Sequence, residues 1–232
     1  MNYPGSKNGS GVYQQIINQI PPHHHYVELF AGSGAILRKK RPAAGSTAID
    51  IDASAVEALR LSGEVPLDTT IICSDVIEWI AREGQSLSAH TVIYADPPYL
   101  MESRSAGREI YNHEFHTEAQ HVALLDALLT LKCPVLISGY WSQLYMEKLK
   151  SWRWITFTSV TRGGPQTEWL WMNYPEPAEL HDYQYLGSDF RERERIKKKK
   201  NRWKKKLQAM PSTERYAILA AIQESWPAAT EM

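Results

Sequence analysis

The chain has 232 residues, of which 43% are hydrophobic, and this is enough for one large domain with a buried core. Its two cysteines, Cys73 and Cys133, lie in or beside apolar runs and are predicted to be buried thiols, so neither a disulfide framework nor a metal cluster is indicated. No apolar run reaches the roughly 18 residues of a membrane span, and the N-terminus lacks the apolar region of a signal peptide. We therefore expect a cytoplasmic protein without a membrane partner.

The formal charge of zero is unevenly distributed along the chain. Residues 1–186 contain 14 Lys+Arg and 20 Asp+Glu, a balance of −6, whereas residues 187–232 contain 12 and 6, a balance of +6. The composition therefore predicts a main domain over residues 1–186 and a basic extension over residues 187–232. Such an extension is either a solvated charged segment or a contact surface for a polyanion.

The first half of the chain alternates between predicted helices and strands. An apolar stripe predicts a helix over residues 12–20, and three adjacent histidines, residues 23–25, are expected to form a solvated turn. Strands are predicted over residues 26–30, 47–51, 70–73 and 91–95. Helices are predicted from about Ile36, from Ser54 as N-cap to Leu61, and over residues 76–82. This alternation is typical of a doubly wound parallel sheet.

The fourth strand ends in an unusual turn, Asp96-Pro97-Pro98-Tyr99. The prolines lack an N–H and have a fixed φ, so the strand must stop there, and Asp96 falls at its carboxyl end. In an open α/β sheet that edge is where ligands bind. The turn is therefore either a simple strand stop or part of a site that presents a carboxylate, a carbonyl and an aromatic ring.

The second half of the chain is predicted to complete the sheet. Residues 101–116 are polar and too long for a tight loop, which is typical of a lid or binding loop. A helix that begins at Thr117 is expected to direct its apolar residues, including Leu129, toward the core. A fifth strand over residues 134–138, a helix over residues 142–149 and a hairpin of two antiparallel strands follow. Two further helices, the first strongly basic, are predicted after Leu186.

A glycine turn and an acid follow the first two predicted strands. Gly32 and Gly34 lie between strand and helix, where a ligand can approach the backbone, but Leu37 occupies the third glycine position of a dinucleotide fingerprint. This disfavours a nicotinamide cofactor. Asp50, at the end of the second strand, is placed to accept hydrogen bonds from the ribose hydroxyls of a nucleoside.

Four segments in this order resemble the Dam-like N6-adenine-specific DNA methyltransferases. They are Pro4-Gly5-Ser6-Lys7, residues 27–34, residues 48–52 and Asp96-Pro97-Pro98-Tyr99. The resemblance spans roughly residues 2–174. It implies a Rossmann-like, mostly parallel seven-stranded sheet with a terminal antiparallel hairpin, and S-adenosyl-L-methionine as cofactor. The cofactor-binding residues that it implies are Tyr3, Lys7, Glu28, Phe30, Gly32, Gly34, Asp50, Asp75 and Asp96.

The implied chemistry explains the residue types of the turn. The exocyclic amine of adenine is a poor nucleophile because its lone pair is delocalised into the ring. Asp96 and the Pro97 carbonyl can accept its two hydrogens, while Tyr99 can stack on a base flipped out of the duplex. By the resemblance, Asp96, Pro97, Pro98 and Tyr99 form the catalytic motif, and no metal is needed.

The chain departs from the larger Dam-like enzymes in its specificity element. Those enzymes have a target-recognition segment before the Asp-Pro-Pro-Tyr turn, whereas only 21 positions separate Asp75 and Asp96 here. DNA contacts would then come from Arg104 and Arg108, or from the basic extension through Lys197, Lys198, Lys199, Lys200 and Arg202. The alternative for these cations is an ordinary solvated surface.

Three functions remain open from the sequence. The first is methylation of adenine in DNA. The second is methylation of RNA or of a protein amide, because related folds use similar turns on other planar amines. The third is a degenerate methyltransferase fold that only binds nucleic acid.

Overall fold

The structure, a computed structural model, describes residues 7–9, 11–100, 115, 117–161 and 164–225. Seven strands form one mixed sheet in the order β3-β2-β1-β4-β5-β7-β6. The strands are β1 (His25–Leu29), β2 (Gly45–Asp50), β3 (Thr69–Cys73), β4 (Thr91–Ala95), β5 (Val135–Gly139), β6 (Arg153–Thr161) and β7 (Gly164–Met172). The first five are mutually parallel, and β7 runs antiparallel to both β5 and β6. The predicted doubly wound sheet with a terminal hairpin is confirmed.

Eight α-helices accompany the strands in the described part of the chain. They are α1 (Val12–Ile17), α2 (Ala35–Lys39), α3 (Ala53–Leu61), α4 (Val76–Glu83), α5 (Glu118–Leu129), α6 (Gln143–Lys148), α7 (Phe190–Ala209) and α8 (Ser212–Ser225). The N-cap of α3 is Asp52 rather than the predicted Ser54, because the Asp52 carboxylate accepts from the Ser54 backbone N–H at 2.8 Å. Thr117 caps α5 as predicted, in a reciprocal pair with Gln120.

The sheet is buried between two apolar layers. One layer joins side chains of α1, α2 and α3 to one face of the sheet, with Ile16, Ile36 and Leu59 among its buried members. The other joins α4, α5 and α6 to the opposite face, with Trp79 and Leu124 among its buried members. Alternating side chains of the strands supply both layers, as the strand geometry requires. The core is therefore a three-layer α/β sandwich.

Three burial predictions were wrong. Leu129 is 41% exposed because it lies on the outer face of α5, and Cys73 is exposed because β3 is an edge strand. His23, expected in a solvated turn, is buried and stacks on His181 with ring centroids 3.8 Å apart. Cys133 is buried as predicted.

The chain folds as two compact units, Met1–Tyr185 and Leu186–Met232. The second unit contains α7 and α8, neither of which has a buried residue. Within α7, Glu192 pairs with Arg195 and Glu194 pairs with Lys197. None of the helices in the described ranges combines the length and apolar character that crossing a membrane requires.

Candidate active site

The carboxyl ends of the parallel strands bring the predicted motifs to one edge of the sheet. The glycine turn follows β1, Asp50 ends β2, Asp75 follows β3 and Asp96 follows β4. The pairing of β1 with both β2 and β4 places these ends side by side. In sheets of this type, ligands bind at this edge, where the strand order reverses.

The glycine turn has a left-handed backbone over several residues. Phe30, Gly32 and Gly34 have φ values of 57°, 47° and 63°. A Cβ on Gly34 would lie 2.9 Å from Leu59 Cδ1, so an added methyl group would require the Leu59 side chain to shift. The Phe30 ring packs edge-on against Phe115, with centroids 5.3 Å apart. A non-glycine residue in the left-handed region is strained, and such strain is concentrated at functional sites.

Asp50 is held by the turn that it faces. Its Oδ2 accepts from the Gly32 N–H at 2.7 Å, and its Oδ1 accepts from the Asp52 N–H at 2.9 Å. The side chain is buried. Both oxygens are thereby oriented by backbone donors. The contact with a ribose that is expected for Asp50 stays a prediction.

Glu28 lies beneath the glycine turn. Its Oε2 accepts from the Leu37 N–H of α2 at 2.6 Å and from the Tyr26 hydroxyl at 3.0 Å. Burial raises the pKa of this carboxyl to about 7, although both hydrogen bonds oppose the shift. Glu28 therefore braces the start of α2 from inside the protein, and its role toward a cofactor stays a prediction.

Asp75 is the N-cap of α4. Its Oδ1 accepts from the Ile77 and Glu78 N–H groups at 2.7 and 3.0 Å. This satisfies two of the free donors of the helix terminus. The contact with an adenine ring that the resemblance implies for Asp75 remains a prediction.

The Asp96 carboxylate is the centre of a polar cluster in the turn after β4. Its Oδ1 lies 2.8 Å from Lys7 Nζ, 2.7 Å from Ser138 Oγ and 3.3 Å from the Tyr99 hydroxyl. Ser138 is fully buried and also lies 3.0 Å from the Tyr94 hydroxyl. Because Ser138 has one hydrogen and donates it to Asp96, Tyr94 donates to Ser138. The cluster thus joins the ends of β4 and β5.

Tyr99 and the two prolines complete the turn. Pro97 and Pro98 are buried, and Tyr99 is half-buried. The Tyr99 hydroxyl accepts from Lys7 Nζ at 2.6 Å, and its ring packs edge-on against Tyr140 with centroids 4.5 Å apart. Lys7 Nζ also lies over the Tyr99 ring, 4.9 Å from its centroid, so Lys7 restrains both the hydroxyl and the ring.

Glu168 is a site residue that the sequence prediction missed. It lies on β7, which runs antiparallel to β5, so the first half of β7 reaches the edge where β4 ends. Its Oε2 lies 3.2 Å from the Tyr99 hydroxyl and 3.6 Å from Lys7 Nζ. The sequence contained one signal for it: Glu168 is a carboxylate at a buried position of an apolar strand. A buried charge needs a partner, so this position indicated a polar or charged neighbour.

Three predicted site residues lie outside the described residues, namely Tyr3, Arg104 and Arg108. The cations of the basic extension lie on α7, and Lys197, Lys198, Lys199, Lys200 and Arg202 are all exposed. Every residue between Asp75 and Asp96 is described. These residues form α4, a short 3-10 turn (Gly84–Ser86) and β4, so this interval contains no additional segment. In the described ranges, no group of three or more acidic, histidine or cysteine side chains is arranged to hold a metal ion.

Comparison with known proteins gives one family match and several distant structural alignments. Residues 11–125 match the family described as "Conserved hypothetical protein 95". No curated protein matches the sequence. Among solved structures, the N-methyltransferase NodS from Bradyrhizobium japonicum WM9 aligns with a TM-score of 0.49 at 8% identity, covering 70% of this chain and 93% of that chain.

Two other solved structures align over a similar part of the chain. The 23S rRNA methyltransferase ErmE has a TM-score of 0.44 at 14% identity, covering 76% of this chain and 72% of that chain. A SAM-dependent methyltransferase from Agrobacterium tumefaciens has a TM-score of 0.44 at 15% identity, covering 70% of this chain and 60% of that chain. At these levels of similarity, a function has to be argued from the site itself.

Proposed function

We propose that this protein transfers a methyl group from S-adenosyl-L-methionine to the N6 amine of adenine in DNA, after the base has rotated out of the duplex. The observation that carries the proposal is the Asp96 carboxylate, oriented by Lys7 and Ser138 at 2.8 and 2.7 Å and followed directly by Pro97. A carboxylate and a carbonyl in succession form an acceptor pair for the two hydrogens of a planar amine.

The residues at the ends of β1 and β2 fit an adenosyl group. The left-handed backbone at Gly32 and Gly34 allows a ligand to approach the turn without a side chain in the way. We assign Asp50, whose two oxygens are oriented by the backbone N–H groups of Gly32 and Asp52, to accept hydrogen bonds from the ribose hydroxyls. When bound, S-adenosyl-L-methionine supplies an electrophilic methyl group on a positively charged sulfur. We assign Tyr3, Lys7, Glu28, Phe30 and Asp75 to the surroundings of the cofactor from the resemblance alone.

Asp96 and Pro97 act on the amine by positioning and electrostatics. Accepting its two hydrogens draws lone-pair density back onto the nitrogen, which makes the nitrogen more nucleophilic in the direction of the methyl group. The lone pair forms the new C–N bond as the C–S bond breaks, and the amine then loses one proton. The Asp96 carboxylate is the nearest acceptor for that proton. We assign the Tyr99 ring, which packs edge-on against Tyr140, to stack on the flipped base.

Contact with the DNA backbone is assigned to the cations of α7 and to Arg104 and Arg108. Lysine and arginine side chains bind phosphate groups without reading sequence, so they position the duplex rather than choose an adenine. Because the interval between Asp75 and Asp96 contains no recognition segment, we propose relaxed sequence specificity.

The test is transfer of labelled methyl from S-adenosyl-L-methionine to duplex DNA, to RNA and to protein, using the full chain. We expect label in DNA as N6-methyladenine. The Asp96→Ala variant should lose turnover while largely keeping cofactor binding. The matched control is Asp126→Ala, which removes a carboxylate from an exposed ion pair with Lys148 and should leave turnover unchanged.

Three results would contradict the proposal. Label found only in RNA or protein would move the substrate away from DNA adenine. Turnover by Asp96→Ala equal to that of the wild type would reject the role of the turn. A chain that binds nucleic acid and transfers no label to any substrate would be a binding protein with a degenerate methyltransferase fold.

A further inference from the structure

We infer that Lys7 and Glu168 are positioning residues that hold Asp96 as an oriented carboxylate, with one oxygen engaged by the protein and the other kept for the substrate amine. The inference rests on the proposed function for the identity of that amine. It differs from the role that the resemblance implies for Lys7, because it directs the ammonium group to Asp96 instead of to the cofactor.

The contacts of Asp96 are asymmetric. Lys7 Nζ and Ser138 Oγ both lie within 2.8 Å of Oδ1, and the Tyr99 hydroxyl lies 3.3 Å from the same oxygen. No described residue donates to Oδ2. A carboxylate held at one oxygen by a cation and a buried hydroxyl has a fixed plane, so the position of Oδ2 is fixed as well. Oδ2 is therefore the oxygen presented to an incoming donor.

The side chain of Asp96 is more exposed than the side chains of Lys7 and Glu168, which position it. The side chain of Asp96 is 18% exposed, whereas those of Lys7 and Glu168 are 6% and 7% exposed. The lysine is thus more deeply buried than the carboxylate that it contacts, and Asp96 has the largest exposed fraction of the three side chains.

Glu168 gives the buried lysine a second acidic partner. A lone ammonium group at this depth would cost several kcal/mol of desolvation, and two carboxylates offset that cost. Glu168 Oε2 lies 3.6 Å from Lys7 Nζ and 3.2 Å from the Tyr99 hydroxyl, so it restrains two of the three side chains that contact Asp96 Oδ1. Glu168 acts on Asp96 through these neighbours.

The charges around Asp96 act in opposite directions. Burial raises the pKa of Asp96, and the positive charge and hydrogen bond of Lys7 lower it. The negative charge of Glu168 raises it, and the hydrogen bond from Ser138 lowers it. Within the described ranges, Asp96 also interacts electrostatically with Glu28, Tyr26, Tyr94 and Tyr145, and it lies 3.3 Å from the Tyr99 hydroxyl. Removing Lys7 and removing Glu168 should therefore shift this pKa in opposite directions.

The test follows the Asp96 carboxyl carbon by NMR in the full chain labelled with 13C-aspartate, with the resonance assigned from its loss in Asp96→Asn. No substrate or cofactor is needed. We expect Lys7→Met to raise the pKa of Asp96 by about one unit or more, as is typical when a close opposite charge is lost. Glu168→Gln should lower it. Lys7→Arg, which keeps the charge, should restore most of the wild-type value.

The matched control is Lys148→Met, which removes a lysine from an exposed ion pair with Asp126 and should leave the Asp96 titration unchanged. Equal titration of Asp96 in the wild type, Lys7→Met and Glu168→Gln would overturn the inference. If Lys7→Met does not fold, Glu168→Gln decides the question: a lowered pKa supports the inference, and an unchanged one rejects it.

A kinetic measurement distinguishes positioning from cofactor contact. If Lys7 positions Asp96, Lys7→Met lowers kcat and moves the acidic limb of kcat/KM to higher pH, with the KM for S-adenosyl-L-methionine little changed. A raised KM for the cofactor with unchanged kcat would instead support the role implied by the resemblance and reject ours. Opposite shifts of the Asp96 pKa in a chain that transfers no methyl group would reject the proposed function and leave the positioning role intact.

Discussion

The backbone N–H of Gly32 donates to Asp50 Oδ2 at 2.7 Å and thereby ties the turn after β1 to the end of β2. The glycine turn and the acid are 18 positions apart in sequence and form one structural unit. The turn therefore orients the acceptor that we assign to the ribose.

Replacing Asp50 with asparagine should weaken binding of the cofactor. The amide keeps the shape of the side chain, but only one of its two terminal atoms can accept, so the contact with either Gly32 or Asp52 is lost together with the charge. We expect at least about a tenfold loss of affinity for S-adenosyl-L-methionine, measured by calorimetry. Asp52→Asn is the control, because asparagine caps a helix as well as aspartate and α3 should stay intact. Equal affinities of the wild type and Asp50→Asn would contradict the assignment.

Replacing Gly34 with alanine should destabilise the protein for two reasons that a matched variant separates. Gly34 and Gly63 have almost the same φ, 63° and 62°, but a Cβ on Gly34 meets the buried Leu59 at 2.9 Å, whereas one on Gly63 meets nothing within 4 Å. Gly63→Ala should cost about 1–2 kcal/mol from backbone strain. Gly34→Ala should cost at least about 1 kcal/mol more from overpacking. Denaturant unfolding measures the free energy that each variant loses. Equal losses would show that Leu59 in α3 shifts without an energetic cost.

The buried Glu28 should make stability depend on pH. Its pKa is raised to about 7, so the folded state favours the protonated acid and its contribution is fully present below the ordinary pKa near 4.5. That contribution is lost as the pH rises toward 7. We expect the free energy of unfolding of the wild type to fall by roughly 3 kcal/mol relative to Glu28→Gln across this window. The comparison uses denaturant titrations at about pH 4.5, 6 and 8, and parallel pH profiles of the two proteins would contradict it.

The basic extension should contribute a salt-dependent part of DNA affinity. Each phosphate contact adds about 0.9 to the slope of log affinity against log salt. Deleting residues 187–232 should weaken binding and flatten that slope, measured by fluorescence anisotropy over a range of salt concentrations. Replacing Lys198, Lys199 and Lys200 with glutamine should flatten the slope by up to about three units.

The control for the extension is Arg215→Gln in α8, which removes a cation outside the lysine run and should leave the slope unchanged. A slope unchanged by the deletion would assign the DNA contacts to the main unit. Loss of affinity without a change of slope would indicate contacts other than phosphate.

Local patterns were sufficient to predict most of the fold. The predicted fourth strand agrees with β4 (Thr91–Ala95). A run of β-branched and aromatic residues followed by two prolines predicts a strand that ends at the prolines. The hairpin was predicted with the correct antiparallel pairing, over residues 154–160 and 168–173. The observed strands are longer, because β6 and β7 each have nine residues and β7 begins four residues earlier than predicted. Exposure at Leu129 and Cys73 was predicted wrongly, because local apolarity does not reveal which helix face or strand edge stays uncovered.

The sequence by itself determined the alternation of strands and helices and the chemistry carried by their ends. Gly32, Asp50 and Asp96 lie at the ends of buried strands, and parallel strands bring their carboxyl ends to one edge. That much depends on short-range patterns of apolar residues, glycines and prolines.

Only the tertiary structure decided which side chains support Asp96. Lys7, Ser138 and Glu168 come from the segment before α1, from β5 and from β7, and no local pattern relates them. Glu168 lies near Asp96 because β7 pairs antiparallel with β5, and this pairing joins strands that are far apart in sequence. The ionisation and orientation of a buried carboxylate depend on the charges within a few ångströms of it, and those neighbours are set by strand order instead of by sequence distance.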